Sequence, residues 1–319
     1  MTHPAASVVI ATRNRKDDLR RALQSAQMQD MPCEILVLDD ASSDGTAAMV
    51  RNEFPAVRLI AATKSSGYVV QRNRGARLAT GEFVVSIDDD AEFASPRVIR
   101  QTIADFSEPR IAAVSIPHKD VLIGPGLKTP TPPAPGHWVV ASYVGTAHAV
   151  RREVFLQLGG YRATLVHNTE ERDFCARLLN FGYVTALGTA DPILHYASPV
   201  RQAWRNQMLE RRNDLCHAVW NVPFPDLAYH LPGTIVSGLR FAVRRGTLPQ
   251  TVTGYLRALP AVWHSRHLRD PIKPEIYRLI RKLNRDRLLP LGEVCAAIGP
   301  MGVWPGRGPG TRADWLETA

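Results

Sequence analysis

A hydrophobic strand that ends in three consecutive carboxylates constrains this chain more than any other feature of its sequence. The segment Val84–Ile87 has the apolar composition of a central strand, and Asp88, Asp89 and Asp90 follow it directly. Close like charges repel and raise each other's pKa, so such a cluster needs a compensating metal ion, an arginine or open water. A solvated turn is the simplest interpretation of the three residues in isolation, because aspartate is common in turns. The surrounding pattern decides between these alternatives.

Apolar runs and helical patterns alternate in the N-terminal part of the chain. Ser7–Ile10 predicts a buried strand, Lys16–Gln29 predicts a helix from its helical spacing of apolar residues, and Glu34–Leu38 predicts the next strand. The same order repeats as strand, helix and strand over Val57–Ala61, Val69–Leu78 and Glu82–Ile87. This alternation is typical of an α/β fold with a doubly wound parallel sheet, in which ligands bind at the carboxyl ends of the strands.

The pattern becomes mixed after the fourth strand. A helix is predicted for 97–106 and a strand for 112–116. The following segment, Pro117–His137, carries six prolines and three glycines and is predicted to lack regular structure. Beyond it, Glu171–Phe181 predicts an amphipathic helix, so the second half combines helices with fewer strands.

Helix-like segments interrupted by prolines follow Pro223. Proline lacks a backbone N–H and clashes with the preceding turn, so we expect the helices to break at each interior proline. These prolines are Pro232, Pro249, Pro260, Pro271 and Pro274. The predicted organisation is an α/β domain over residues 1–225, a basic helical extension over 226–298 and a Gly/Pro-rich tail over 299–319.

The composition is that of an ordinary folded protein, with 319 residues of which 45% are hydrophobic and 22% charged. Its four cysteines are widely spaced without a C-x-x-C pair, which disfavours a zinc site or a disulfide framework and suits a reducing cytoplasm. We find neither a signal-peptide pattern at the N-terminus nor an apolar run long enough to span a bilayer. The expected location is the cytoplasm, including the inner face of the membrane as a peripheral protein.

The net charge of +9 is concentrated in one region. The segment Arg240–Arg287 holds twelve lysines and arginines against three acids, so the rest of the chain sums to zero. Two interpretations remain open, namely contact with an anionic membrane or polyanion and a solvated helical face. Nucleic acid is disfavoured as a partner, because the sequence has no zinc-finger spacing, no RNA-binding signature and no heptad-linked basic helix.

Known nucleotide-binding loops are missing from the expected places. No G-x-G-x-x-G follows the first strand and no Walker loop occurs, which disfavours a dinucleotide dehydrogenase and a P-loop ATPase. Instead, four elements follow one another: S-V-V-I-A-T-R-N-R over 7–15, L-V-L-D-D-A-S-S-D-G-T over 36–46, R-N-R-G over 72–75 and D-D-D over 88–90. In this order and spacing they resemble the nucleotide-binding half of the family 2 glycosyltransferases.

The resemblance extends over about residues 5 to 223. Further elements that carry it are Gly145, Arg151-Arg152, Gly159-Gly160-Tyr161, the acidic segment E-E-R-D-F-C-A-R over 170–177, and His195. It implies a GT-A fold, a Rossmann-like mixed or parallel sheet flanked by helices, with residues 1–110 as the nucleotide-sugar-binding half and 111–225 as the acceptor half. The implied reaction is inverting transfer of a sugar from a nucleotide-diphosphate donor to an acceptor hydroxyl.

The resemblance also assigns donor-binding residues. Asp40 would accept a hydrogen bond from the imide N–H of the base, and Thr12 and Arg13 would line the pocket for base and ribose. Arg72 would lie near the base or the diphosphate, where a planar guanidinium offers paired donors. A surface salt bridge is the alternative for Arg72.

A divalent cation is implied at the D-x-D element. Mg²⁺ and Mn²⁺ prefer carboxylate and phosphate oxygens, and the leaving nucleoside diphosphate needs charge neutralisation. Asp90 is predicted to bind the metal, Asp88 to bind the ribose or the metal, and Asp89 to separate them within the nucleotide-sugar site. His195 is a further metal candidate, with an ordinary core or surface histidine as the alternative.

An inverting displacement needs a general base on the face opposite the leaving group. Glu171 matches the Asp of the family's Glu-Asp-x-Asp pattern, and the longer side chain leaves Glu170 as a second candidate. An acidic helix N-terminus without a catalytic role is the alternative, since the helix dipole favours acids there.

Departures from the family pattern limit what can be inferred about the substrates. Ser65 stands where many members have Asn and Gln71 where Ala is usual, so neither the base nor the sugar of the donor follows from the sequence. The Q-x-x-R-W signature of processive synthases is absent, which favours transfer of a single hexosyl or deoxyhexosyl unit in glycan, glycolipid or secondary-metabolite biosynthesis. The acceptor would be a sugar, a lipid-linked molecule or another small molecule. The alternatives are a sugar-phosphate nucleotidyltransferase and a non-catalytic nucleotide-sugar binder.

Overall fold

A computed structural model of the chain describes residues 4–124, 126–197 and 203–301. Its strands are β1 (Ala6–Thr12), β2 (Cys33–Asp39), β3 (Arg58–Ala61), β4 (Phe83–Ile87), β5 (Ala91–Phe93), β6 (Ile111–Ser115), β7 (His118–Asp120), β8 (Trp138–Val140), β9 (Ala147–Arg151), β10 (Val184–Leu187), β11 (Ile193–His195) and β12 (Leu289–Pro290). Its α-helices are α1 (Lys16–Gln27), α2 (Thr46–Glu53), α3 (Tyr68–Leu78), α4 (Val98–Ala104), α5 (Arg152–Gln157), α6 (Glu170–Asn180), α7 (Ala203–Asn221), α8 (Asp226–Arg245), α9 (Leu248–His264), α10 (Pro274–Asp286) and α11 (Leu291–Ile298).

A mixed sheet flanked by helices forms the centre of the molecule, with the strand order β12-β8-β10-β6-β9-β4-β1-β2-β3. The strands β4, β1, β2 and β3 are parallel, as the alternation of strands and helices predicted. Beyond them, β9 lies antiparallel between β4 and β6. The mixed α/β class with C-terminal helices is confirmed.

A smaller sheet, β5-β11-β7, lies next to the carboxyl end of β4. In its register His195 lies opposite Ala91 on β5 and opposite Asp120 on β7. The prediction that Pro117–His137 lacks regular structure is wrong at this point. The first residues of the segment precede most of its prolines, and their backbone pairs with β11.

The helix α3 packs unusually close to the central sheet. A Cβ added at Gly75 would lie 2.4 Å from Val9 Cγ1 on β1 and 3.0 Å from Leu38 Cδ2 on β2. Any larger residue would push the helix away from the strands. Gly75 therefore holds the beginning of α3, which carries Tyr68 and Arg72, close to the strand ends.

The prediction that every interior proline breaks a helix is also wrong. Pro232 lies inside α8 and Pro260 inside α9. Each lies on the exposed side of its helix, and so do Ala228 and Leu256 four residues earlier, where water can replace the lost backbone hydrogen bond. Pro249 and Pro274 lie in the first turns of α9 and α10, where proline is favoured.

The C-terminal elements differ in how they contact the sheet. Ile276, Leu279 and Leu283 of α10 are buried in the main core, and β12 pairs with β8. The helices α8 and α9 pack on α7 instead, through contacts described below. The boundary at residue 225 stays a prediction, and residues 302–319 of the predicted tail lie outside the described residues. None of the helices in the described ranges is long and apolar enough to cross a membrane.

Candidate active site

The carboxyl ends of β1, β2 and β4 open into a cavity of about 1430 Å³. The polypeptide order places the predicted polar residues there because parallel strands end at the same edge of the sheet. The predicted residues that line this cavity are Thr12, Arg13, Asp40, Arg72, Asp88, Asp89, Asp90, Glu171 and His195. Glu170 is the predicted site residue that does not line it.

Two aspartates and a histidine converge at one end of the cavity. Single ligand atoms of Asp88, Asp90 and His195 all lie within 4.8 Å of one another. The Nε2 atom of His195 is 3.4 Å from Asp90 Oδ1 and 4.0 Å from Asp88 Oδ2. Its Nδ1 atom is 2.7 Å from Asp120 Oδ1. Asp120 therefore orients the imidazole of His195 through Nδ1, while Nε2 faces Asp88 and Asp90.

This donor set fits a divalent cation. Carboxylate oxygens suit Mg²⁺ and Mn²⁺, and imidazole nitrogen is an accepted ligand of several divalent metals. Metal-binding histidines commonly donate their second ring N–H to a carboxylate, as His195 is positioned to do with Asp120. The residues predicted from the D-x-D element and from His195 are thus close enough together to share one ion.

The charges around Asp90 keep it ionised. Burial alone raises the pKa of Asp90, but the hydrogen bond with His195 and the charge of Arg15 hold it well below the usual range. Arg15 Nη1 lies 2.6 Å from Asp90 Oδ2. Burial likewise lowers the pKa of His195, yet Asp90 and Asp120 outweigh it and leave the pKa raised. The cationic compensation expected for three consecutive carboxylates is supplied in part by these side chains.

Asp89 has a different environment from its two neighbours. Its Oδ2 accepts a hydrogen bond from Thr12 Oγ1 at 2.8 Å, and its Oδ1 lies 3.3 Å from Arg15 Nη1. Burial raises the pKa of Asp89 to about 7, although Arg15 and Thr12 act in the opposite direction. Asp89 thus connects the end of β4 to the end of β1, and its assignment to nucleotide binding stays a prediction.

Asp40 organises the loop before α3. Its carboxylate accepts hydrogen bonds from Ser65 Oγ, the backbone N–H groups of Ser66 and Gly67, and Gln71 Nε2, at 2.6 to 3.0 Å. Burial raises the pKa of Asp40, but these donors outweigh it and lower the pKa overall.

The two departures from the family pattern, Ser65 and Gln71, are both partners of Asp40. Ser65 also accepts a hydrogen bond from Arg13 Nη1 at 3.0 Å. Ser65 therefore connects the predicted base-binding residues Arg13 and Asp40 and lines the cavity, while Gln71 contacts Asp40.

Arg72 links the aspartates to the opposite wall of the cavity. Its guanidinium is buried, with Nη2 2.5 Å from Asp88 Oδ1 and 2.9 Å from the carbonyl oxygen of Gly145. Its Nη1 is 3.7 Å from Glu171 Oε1, and the group lies over the ring of Tyr68 at 4.9 Å. The alternative of a surface salt bridge is excluded by this burial.

Gly145 leaves the space in which this contact forms. A Cβ at this position would lie 2.4 Å from Glu171 Oε1 and 2.7 Å from Arg72 Nη1. No side chain fits without displacing one of the two charged groups. The contact between Arg72 and Glu171 therefore explains sterically why residue 145 is a glycine.

The two glutamates at the start of α6 are oriented differently. Glu170 is fully buried and accepts a hydrogen bond from the hydroxyl of Tyr68. Glu171 lines the cavity. Burial and then the adjacent Glu170 raise the pKa of Glu171 well above its usual value, and Arg72 offsets only part of this. Of the two candidates, Glu171 is the one in reach of a molecule in the cavity.

A strained loop leads into α6. Val166, Asn168 and Thr169 have φ values of 62°, 65° and 78°, a region that residues other than glycine seldom adopt. Asn213 of α7 supports the loop, because its amide donates to the carbonyl oxygens of Leu165, His167 and Asn168 at 2.7 to 2.9 Å. Such strain is found preferentially at functional sites.

Several residues that line the cavity or support its side chains were not found by sequence reasoning. Asp120 lies in the proline-rich segment without a recognisable motif, and Tyr68 and Asn213 gave no signal. Arg15 belongs to the first-loop pattern, and its position opposite two of the aspartates could have been suspected from the need for compensating charge.

Comparison with known proteins agrees with this geometry. Residues 7–163 match the model of the family described as Glycosyl transferase family 2. The chain is similar to an uncharacterized glycosyltransferase, YwdF, of Bacillus subtilis, at 28% identity over 70% of this chain and 87% of that protein. It is also similar to an uncharacterized glycosyltransferase of Haemophilus influenzae, at 24% identity over 59% of this chain and 67% of that protein.

A third relative has a named activity. It is the GalNAc(5)-diNAcBac-PP-undecaprenol beta-1,3-glucosyltransferase of Campylobacter jejuni, 37% identical over 29% of this chain and 31% of its own length. The chain thus aligns with less than a third of this enzyme.

Solved structures share the fold. A mannosyltransferase of Pyrobaculum calidifontis in complex with GDP-Man and Mn²⁺ superimposes with a TM-score of 0.56 at 19% identity, covering 93% of this chain and 86% of that one. Residues 1–349 of S. aureus TarS in complex with UDP-GlcNAc give a TM-score of 0.56 at 17% identity, covering 88% and 92%.

The mixed sheet and its flanking helices form a GT-A fold, which the chain shares with these two glycosyltransferases. Residues 7–163 match the model of glycosyl transferase family 2, and the two uncharacterized glycosyltransferases named above are similar over most of their own length.

Proposed function

We propose that the protein transfers a single sugar from a nucleotide-diphosphate sugar to an acceptor hydroxyl, with inversion at the anomeric carbon. One observation carries the proposal: the Asp88, Asp90 and His195 group and the carboxylate of Glu171 face the same cavity, with Arg72 in contact with both. A leaving-group site and a base site on opposite walls are what a single in-line displacement needs.

The donor occupies the side of the cavity formed by β1, β2 and the start of α3. Thr12, Arg13 and Asp40 bind the base and ribose, and Arg72 and Asp88 lie towards the diphosphate. The bound GDP-Man and UDP-GlcNAc of the two structural neighbours support a nucleotide sugar as donor. Ser65 and Gln71, which contact Asp40, take part in selecting the base.

Asp88, Asp90 and His195 hold a divalent cation, Mn²⁺ or Mg²⁺. Such an ion neutralises charge on a departing diphosphate. Asp120 orients the imidazole of His195, and Arg15 balances the carboxylates of Asp89 and Asp90.

Glu171 acts as the general base. Its carboxylate takes the proton of the acceptor hydroxyl while the oxygen forms a bond to the anomeric carbon and the bond from that carbon to the diphosphate breaks. The raised pKa of Glu171 makes it a stronger proton acceptor than an ordinary glutamate. Glu170, whose carboxylate accepts a hydrogen bond from Tyr68, contributes to the raised pKa of Glu171.

The acceptor is a sugar, a lipid-linked molecule or another small molecule of glycan, glycolipid or secondary-metabolite biosynthesis. The named Campylobacter relative, which acts on an undecaprenol-linked glycan, supports the lipid-linked class. The reaction takes place in the cytoplasm, which suits the free cysteines among the described residues.

A thermal-shift panel tests the donor site. UDP-, dTDP- and GDP-sugars are added with and without Mn²⁺, since a ligand that binds the folded state raises its stability by RT ln(1 + [L]/Kd). We expect a metal-dependent shift with one nucleotide, its loss in Asp90→Asn and its retention in Glu171→Gln. Retention of the metal-dependent shift in Asp90→Asn would contradict the proposed metal site.

Product analysis separates the remaining alternatives. With the nucleotide found in the panel, released nucleoside diphosphate is followed in the presence of candidate acceptors. Pyrophosphate release from a nucleoside triphosphate and a sugar phosphate would instead indicate a nucleotidyltransferase. Donor binding with neither transfer nor donor hydrolysis would indicate a non-catalytic binder.

A further inference from the structure

The helices α8 and α9 form a helical hairpin whose two helices are joined by Gly246 and Thr247. The buried side of α9 consists of small residues, Thr251, Gly254 and Ala258. A Cβ at Gly254 would lie 2.5 Å from the carbonyl oxygen of Met208 on α7. The hairpin therefore packs on α7 through one side of α9, and this contact leaves the opposite side of α9 uncovered.

That opposite side of α9 is apolar and exposed. Val252, Leu256, Leu259 and Trp263 are spaced four, three and four residues apart, which places them along one face of a helix. Leu259 retains 68% and Trp263 65% of their accessible surface. An exposed stripe of large hydrophobic residues is unusual on a protein that has no partner.

The outer face of α8 continues this surface. Tyr229, Val236 and Val243 follow one another at seven-residue intervals and are all exposed, whereas Phe241 is exposed on another side of α8, where Arg211 of α7 lies over its ring. Residues seven apart lie nearly above one another on a helix. Together with the stripe on α9 they form the surface that we call the hairpin face.

Apart from Asp226 in the first turn of α8, every charged residue of the hairpin is cationic. Between Leu227 and Arg269 the sequence has six arginines and neither aspartate nor glutamate. Arg245 lies over the ring of Phe241 at 5.5 Å, and Arg266 lies over the ring of Trp263 at 4.9 Å. Cationic groups are thus held directly beside the exposed aromatic side chains.

The adjacent basic helix α10 does not share this arrangement. Its apolar residues Ile276, Leu279 and Leu283 are buried, and two of its cations pair with acids, Lys282 with Glu293 and Arg285 with Asp286. The basic region found in the sequence therefore divides into a solvated face on α10 and an apolar cationic face on α8 and α9.

The hairpin also has a defined position relative to the active site. Gly254 lies beside Met208, and Ser265 accepts a hydrogen bond from Trp220 Nε1, so α9 runs in the same direction as α7. The first turn of α7 carries Arg205 and Asn206, which line the active-site cavity. The turn between α8 and α9 consequently lies at the cavity end of α7.

We propose that the hairpin face binds the surface of an anionic lipid bilayer and holds the active site next to it. Exposed leucine, valine and aromatic side chains insert into the interfacial region, and arginines attract anionic headgroups. An apolar face alone would equally suit a second copy of the chain or another protein. The near absence of acids from the hairpin, where Asp226 is the single one, favours an anionic surface, because a protein partner of mixed charge would not require it.

Vesicle co-sedimentation of the full-length chain tests the proposal without any substrate, so its outcome is independent of the proposed reaction. We expect binding to vesicles of phosphatidylglycerol and phosphatidylcholine in equal parts and weak binding to phosphatidylcholine alone. Raising the salt from about 0.1 M to about 1 M shortens the Debye length from about 10 Å to about 3 Å and should release the protein.

Two pairs of variants locate the contact. Leu259→Asp on the hairpin face is compared with Met28→Asp, since these residues are 68% and 66% exposed and both changes add one negative charge. We expect about a tenfold loss of vesicle binding for Leu259→Asp and none for Met28→Asp. Arg240→Gln with Arg244→Gln should weaken binding, whereas Arg278→Gln with Arg285→Gln on α10 should not. Circular dichroism verifies that each variant is folded.

Three results would overturn the proposal. They are absence of binding to the anionic vesicles, equal losses within each matched pair, and a dimer in analytical ultracentrifugation that Leu259→Asp converts to a monomer. The last result would identify the hairpin face as an interface between copies of this chain.

Discussion

The two acidic clusters of the active site contain the same kind of side chain in opposite electrostatic surroundings. After β4, Asp90 is held ionised by His195 and Arg15. At the start of α6, Glu171 is half-buried beside another carboxylate, and its pKa is raised. Groups whose environments move their pKa values apart are suited to different chemical tasks. This difference supports the proposal that the first cluster binds charge and the second transfers a proton.

The second cluster also contains a purely structural acid, Asp173. Its Oδ1 accepts from Arg162 at 2.7 Å and from Asn221 at 2.8 Å, and its Oδ2 accepts from Arg177 at 3.0 Å. All of these side chains are buried. Burial raises the pKa of Asp173, but Arg162 and Arg177 lower it far below the usual value.

The largest effect is expected from Asp173→Asn. Removing the charge leaves Arg162 and Arg177 buried without their counter-ion, which costs about 3–5 kcal/mol of unfolding free energy. Urea denaturation measures this loss, with Asp30→Asn on the surface as control. Because the folded-state pKa of Asp173 is depressed, its contribution is present above pH ~4 and is lost as the pH falls through the folded value. Unchanged stability with lost activity would place Asp173 among the catalytic groups.

The second-largest effect is expected at Asp90, and it distinguishes the proposed metal site from the proposed general base. Asp90→Asn should lower kcat/KM by about 10³-fold, which corresponds to about 4 kcal/mol of transition-state stabilisation. The measurement is initial rate against Mn²⁺ concentration, with Asp44→Asn as a control outside the cavity. If the native protein kept its full activity after its divalent metal was removed with a chelator, the metal-binding role of this cluster would be contradicted.

Glu171→Gln should lower kcat by about 10²-fold or more while donor affinity changes little. A glutamate must be ionised to accept a proton, and burial raises the pKa of Glu171, so the native rate should fall with decreasing pH from a point above the ordinary value of about 4.3. The pH profile of kcat/KM measures this limb, which should be missing in Glu171→Gln. The same comparison with Glu170→Gln distinguishes the two glutamates, because a variant that alone abolishes the limb identifies the base.

The smallest effect is expected at the support of His195. Asp120→Asn keeps a hydrogen-bond acceptor beside Nδ1 of His195. It should weaken Mn²⁺ binding by about tenfold, because residues that orient a metal ligand typically have effects of this size when they are replaced. Isothermal titration of Mn²⁺ in the presence of the nucleotide measures it. An affinity equal to that of the native protein would indicate that His195 does not bind the metal.

Sequence reasoning predicted the fold better where the signal is local. The strands of the first half alternate with helices, and their parallel pairing followed from that alternation. The antiparallel insertion of β9 did not follow, because it depends on a strand pairing with residues far away in the chain. The short strand β7 was missed for the same reason, since its pairing with β11 depends on the smaller sheet.

The site was predictable in its residue types but not in its contacts. Asp88, Asp90 and His195 were named as one group, and the structure brings their ligand atoms within 4.8 Å. Asp120 and Tyr68 received no role, because nothing local marks a residue whose partner is supplied by a distant element. The exposed face of α8 and α9 was also hidden, since an amphipathic pattern does not reveal which of two apolar sides packs inward.

The amino-acid sequence by itself determined the α/β class, the resemblance to family 2 glycosyltransferases and the strand ends at which charged side chains accumulate, because hydrophobic periodicity and motif spacing are local properties. Only the tertiary structure decided that Glu171 faces the cavity while Glu170 is buried, that Arg72 joins both acidic clusters, and that one basic helix is solvated while two present an apolar face. These outcomes depend on burial and on contacts between distant segments, and burial sets both the pKa of an acid and the environment of an apolar stripe.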